Sequence, residues 1–152
     1  MTDWNDKEQV LKAVSEYGPD LQYASDKLKA DREIVMAAVQ NDVTTPRGPA
    51  LRYVRDELRA DREIVLVAVQ KDGAALAGAS DEFRADREIV LAAVKYDGAA
   101  LEYASDELKA DREIVLAAVQ NRSKGLQYVQ YASEELRADP EIIRKVVLAA
   151  LL

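Results

Sequence analysis

A nine-residue segment, Asp86-Arg-Glu-Ile-Val-Leu-Ala-Ala-Val94, recurs along this chain almost unchanged. Its leading aspartate falls at Asp6, Asp31, Asp61, Asp86, Asp111 and Asp139, in steps of 25, 30, 25, 25 and 28 residues. A near-constant step of this size marks a stacked repeat array, in which each unit buries its apolar side only against its neighbours. The whole of residues 1–152 therefore reads as a single helical-repeat domain.

Each unit reads as two helices. In the unit that opens at Gly98, Leu101, Ala104 and Leu108 form one apolar stripe at helical spacing, which predicts a first helix over about 99–108. Asp111 is placed to cap a second helix, because its carboxylate can accept from the open N–H groups of the first turn. Glu113 follows in that turn, where negative charge suits the positive end of the helix dipole. The last copy supports the register: Pro140 follows Asp139, and proline is favoured at the first helical position. From Ile114 to Val119 the second helix is apolar all round, which predicts burial on every side and an interlayer place for Ala92 in the preceding unit.

The two ends differ from the interior. Gln9 and Lys12 stand where interior units have Ile89 and Ala92, and Arg144 and Lys145 stand where they have Leu91 and Ala92. These substitutions read as polar terminal caps on a complete array. The expected fold is thus all-α, a short α-solenoid of roughly 25-residue helix-turn-helix repeats with about 11 short helices. At ~8–10 Å per layer it makes a rod or shallow arc about 50 Å long.

The segment Ala104-Ser-Asp-Glu-Leu-Lys-Ala-Asp-Arg-Glu-Ile-Val-Leu-Ala-Ala-Val119 resembles the tandem helical repeat of domain-of-unknown-function family 4116. The resemblance runs from about Asp6 to Val147. It implies an α-helical repeat fold, and it brings no established activity and no catalytic residues.

Composition narrows the function. With no cysteine and no histidine, the chain lacks the ingredients of a disulfide framework, a thiol or histidine triad and the common zinc sites. The acidic residues recur once per layer, whereas an enzyme needs one site, so they read as helix caps; no catalytic residue, metal or cofactor is expected. A net charge of −7 disfavours phosphate backbones and anionic lipid. The longest apolar runs fall far short of the ~20 residues that span a bilayer, and the polar, acidic N-terminus does not read as a signal peptide, so a cytoplasmic setting is expected.

Three features are candidates for partner binding. Two inserts, at 43–47 and around 122–125, lengthen the same return turn in different units, and solenoid inserts often lie on the binding face. They bring Arg47, Arg122 and Lys124, and the first is followed by Arg52 and Arg55, where other units carry uncharged or acidic residues and serine. Arg52 and Arg55 are expected to share a helix face. Tyr23, Tyr53, Tyr103 and Tyr131 occupy one repeat position, vacated at Gly78, and read either as an aromatic row or as interlayer packing. Two basic ladders, Arg32/Arg62/Arg87/Arg112 and Lys29/Arg59/Arg84/Lys109/Arg137, read as surface ion pairs between layers. The apolar tail, with Val146, Leu148, Leu151 and Leu152, can fold over the last layer or form a weak homodimer.

The favoured function is a non-enzymatic protein–protein interaction or scaffold module. A nucleic-acid-binding helical repeat and a purely homo-oligomerising module are the alternatives.

Overall fold

The computed structural model describes residues 1–43, 45–46, 48–120 and 124–151. It is a short all-α solenoid of two layers, and its described residues include no strand. Six inner helices stack in sequence order: Lys7–Glu16, Arg32–Gln40, Arg62–Lys71, Arg87–Tyr96, Arg112–Val119 and Pro140–Ala150. Each is opened by the repeat aspartate. The Asp86 carboxylate accepts from the Ile89 N–H at 3.0 Å, and Asp31, Asp61, Asp111 and Asp139 do the same one unit apart. Local capping chemistry therefore sets where every inner helix begins.

The covering layer differs from the expected single helix. Gly98–Tyr103 is a 3-10 segment, and Asp106–Lys109 is one separate turn of α-helix. Ala104 and Ser105 between them are extended. Two bonds explain the break. The Ser105 hydroxyl accepts from the Leu108 N–H, which starts a new helix. The Ser105 N–H meanwhile donates to the Arg84 carbonyl of the previous layer at 2.9 Å. The same bond joins Ser25 to Trp4, Arg55 to Lys29, Ser80 to Arg59 and Ser133 to Lys109. One backbone bond per layer thus zips the covering edge together.

The core runs the length of the stack. Ile34, Ile64, Ile89, Ile114 and Ile142 are wholly buried beside Leu21, Leu51, Leu76 and Leu101 of the covering segments. Among the described residues no buried side-chain nitrogen or oxygen lacks a hydrogen-bond partner. The inner helices are not sealed on every side, however. Ile114, Val115, Ala118 and Val119 are buried, whereas Leu116 and Ala117 are half-buried and face outward, as do Leu91 and Ala92. Ala93, rather than Ala92, is the interlayer alanine. The polar residues set this rotation: Ala92 lies four residues after Glu88 and three before Lys95, beside their exposed face, whereas Ala93 lies four after the buried Ile89.

The two ends are chemically different. At the N-terminal end Gln9, Lys12 and Glu16 are exposed around a groove of about 460 Å³. At the C-terminal end Arg144 and Lys145 are exposed, and so are Ile143 and Val147.

Candidate functional site

The first basic ladder is consumed by the fold. Arg62 meets Asp86 at 3.4 Å and Glu88 at 2.6 Å, one layer along. Arg32 pairs in the same way with Asp61 and Glu63, Arg87 with Asp111 and Glu113, and Arg112 with Asp139 and Glu141. Lys7 takes this part in the first layer, toward Asp31 and Glu33. Burial raises the Asp31, Asp61 and Asp111 carboxyls, but the facing cation and the capping N–H groups together bring each below its ordinary value. In the second ladder Arg59 pairs with Asp56 and Arg84 with Asp81 inside their own short helices, and among the described residues the ladder forms no ion pair between layers.

The first insert builds something different. Its base is held by Asp42, which is buried and accepts from the Ala50 N–H at 2.7 Å and the Val43 N–H at 3.1 Å. Burial pushes the Asp42 carboxyl up to about 6, and the neighbouring Asp72 charge adds to the rise. Gly48 turns the chain with φ 82°, and the Arg52 side chain lies over it. A Cβ at Gly48 would sit 2.8 Å from the Arg52 guanidinium, which is free to move aside, so it is the positive φ that calls for glycine here.

Arg52 then lies in the 3-10 segment Ala50–Tyr53, while Arg55 is the N-cap of Asp56–Arg59. They do not share a helix face as expected, because Val54 between them is extended. They nevertheless line one groove of about 320 Å³, together with Lys29, Arg59, Tyr53, Asp26 and Asp56. Four cations face two carboxylates there, on a chain of net charge −7. Arg59 frames the groove, since its guanidinium donates to the Val54 carbonyl at 2.9 Å and the Arg52 carbonyl at 2.8 Å. Among the described residues neither Arg52 nor Arg55 enters an ion pair, and both are exposed.

Arg55 also breaks a rule of the repeat. Ser80, Ser105 and Ser133 stand at its position, and each hydroxyl caps its short helix through the N–H three residues on. Arg55 provides no side-chain cap. Ser25, at the same position, provides none either. In both units the N–H three residues on donates instead to the backbone carbonyl, Leu28 to Ser25 and Leu58 to Arg55, each at 3.0 Å. The third unit thus differs from the rest by its positive charge.

The other sequence candidates fall elsewhere. Arg47 and Arg122 lie outside the described residues. Lys124 precedes the short helix Gly125–Tyr128, three inner helices away along the chain, and does not join the groove. Tyr23 packs its ring 5.2 Å from that of Trp4 and is half exposed. Tyr103 borders a separate shallow groove with Asp81, Arg84 and Asp106. Its hydroxyl is raised above the ordinary value, by burial first and by the Glu102 charge second. Gly78 leaves no open notch: it is buried, with the Leu51 and Arg52 backbone about its α-carbon. Val146, expected from the sequence to serve a tail contact, is 3% exposed and packs inward, and Leu152 lies outside the described residues.

Sequence reasoning placed Lys29 and Arg59 in a solvated ladder and missed their part in the groove. The available signal was their repeat position, four residues after that of Arg55 and its serine equivalents.

The model of the family described as "Domain of unknown function (DUF4116)" matches three times in tandem, over residues 6–45, 47–84 and 86–130. The chain belongs to the DUF4116 family. The second match begins at the insert, so the groove of this DUF4116 array straddles the junction of its first two matched segments. No curated protein and no solved structure matches the chain.

Proposed function

We propose that this DUF4116 array is a non-enzymatic interaction scaffold that holds an acidic protein segment in the groove between Lys29 and Arg55. The carrying observation is Arg55 itself. It puts a positive charge where Ser25, Ser80, Ser105 and Ser133 are neutral, beside three further cations of the groove, and a departure from the repeat is expected where function is served. The ungrouped charges of Arg52 and Arg55 suit carboxylates, which arginine engages in a planar, bidentate manner. Tyr53 in the same groove adds an aromatic anchor of the kind interfaces favour.

Nucleic acid is the weaker reading, because Arg32, Arg62, Arg87 and Arg112 are each held by two carboxylates of the next layer. No helix among the described residues is long and apolar enough to cross a membrane. A cytoplasmic setting belongs to the same proposal and fits a chain without cysteine.

The test is a titration with a fluorescent Glu/Asp-rich peptide, beside its Lys-rich counterpart. The native chain should bind the acidic peptide with a strong salt dependence. The double variant Arg52→Glu/Arg55→Glu should lose that binding while keeping its melting temperature. Equal binding by the double variant removes this groove from consideration. Salt-steep binding of single-stranded DNA in a filter assay would favour the nucleic-acid reading instead.

A further inference from the structure

We propose that the basic groove is one end of a longer trough, which takes an extended peptide with an acidic residue at Arg55 and a basic residue two layers along at Tyr103. The inference rests on the acidic-peptide reading of the groove and names the other half of the partner. The trough is built by the stacking. Three grooves, of about 320, 260 and 310 Å³, follow one another along the covering edge. Asp56 and Arg59 border both the first and the second, and Asp81 borders both the second and the third. Each groove contains the two residues of one bond that zips the layers: Arg55 to Lys29, Ser80 to Arg59, and Ser105 to Arg84. Those bonds occupy the backbone N–H groups of Arg55, Ser80 and Ser105, so recognition falls to side chains.

The side chains reverse sign along the trough. The repeat position of Arg52 is Ala77 one layer on and Glu102 one layer further. The next position runs Tyr53, Gly78, Tyr103. An aromatic ring thus stands at each end, with positive charge beside the first and negative charge beside the last. Glu102 lies near enough to Tyr103 for its charge to raise the hydroxyl. Asp106 borders the third groove and completes the negative end. Asp56 and Asp81 are each held by the arginine three residues on, but Lys109 follows Asp106 at that distance. Among the described residues neither Glu102 nor Asp106 enters an ion pair, and both are exposed. A tyrosine between two uncommitted carboxylates suits an arginine side chain, by stacking and charge together. Charge complementarity therefore selects a segment of mixed sign over a uniformly acidic one. Layer spacing sets the separation of the two signs. Two layers span ~16–20 Å, which extended chain covers in about five or six residues.

Fluorescence anisotropy with three synthetic peptides provides the test. The first carries a Glu pair and an Arg about six positions on, with neutral residues between. The second has Gln in place of that Arg. The third brings the Arg to about two positions from the Glu pair. The native chain should bind the first ~10-fold more tightly than either of the others. Glu102→Gln/Asp106→Asn should bind the first only as tightly as the second, with an unchanged circular dichroism melt. Arg52→Glu/Arg55→Glu should bind none of the three. A native chain that binds the first and second equally, or the third as tightly as the first, overturns this inference and leaves the acidic-peptide reading intact. So does a Glu102→Gln/Asp106→Asn variant that keeps the preference. A native chain that binds no peptide overturns both.

Discussion

Arg62, at the start of the third inner helix, reaches one layer along to the Glu88 carboxylate at 2.6 Å and touches the capping Asp86 at 3.4 Å. The aspartate thus serves its own helix and its neighbour's cation at once. The two duties are unequal. Asp86→Ala removes the bond from the Ile89 N–H and should lower stability by about 1 kcal/mol. Arg62→Ala removes only exposed ion pairs and should shift the denaturation midpoint less. Molar salt should shrink the Arg62 effect and leave most of the Asp86 effect. Equal effects in urea titrations would show that the ladder, and not the cap, carries the stability.

Adjacent alanines provide a sharper contrast. Ala93 is wholly buried between layers, whereas Ala92 is half-buried on the outer side. Ala93→Lys should cost at least ~3 kcal/mol by overpacking and by burying a charge without a partner. Ala92→Lys should cost far less, because from this half-buried position the ammonium can reach water along its stem. Reversed magnitudes in thermal melts would mean that the inner helix is rotated relative to this description.

Glycine tolerance should follow space. A Cβ at Gly98 collides with the Ala118 carbonyl oxygen and the Tyr128 ring. Tyr128 is buried and bonded to Asp97, and its hydroxyl is pushed up to about 12, by burial first and by that bond second. Gly98→Ala should therefore cost about 3 kcal/mol by overpacking. A Cβ at Gly78 meets nothing nearer than 3.4 Å, so Gly78→Ala should change stability by less than ~0.5 kcal/mol. Similar melting temperatures for the two variants would contradict the layer spacing at Gly98.

The buried Asp42 makes stability depend on pH near neutrality. Its folded value of about 6 lies above the ordinary 3.8. A raised carboxyl binds its proton more tightly when folded, so its favourable contribution is fully present below 3.8 and is lost as pH rises through about 6. Denaturant titrations at pH 8, 6 and 5 should show the native chain gaining on Asp42→Asn as pH falls. A constant difference between the two proteins over that range would rule out the assignment.

Arg55→Ser restores the hydroxyl found at Ser80, Ser105 and Ser133. It should raise stability by up to about 1 kcal/mol. The same change should weaken binding of the acidic peptide. A variant that is more stable yet binds as tightly would make the arginine ordinary drift.

Much of this architecture is written locally. The aspartates at a fixed step, each with an acceptor for the N–H groups that follow, determined where every inner helix starts. The apolar run behind each one determined that it would be buried. Capping and helical periodicity act over three or four residues, so they can be read from the chain alone. The sequence also flagged the insert and the arginines after it, because both depart from the repeat.

Tertiary structure decided what depends on the offset between layers. It split the expected covering helix, since the Ser105 N–H found the Arg84 carbonyl one layer back. It set Lys29 and Arg59 beside Arg55 in a groove. Each of these outcomes is fixed by the summed packing of residues about 25 positions apart, and no short window of sequence contains that sum.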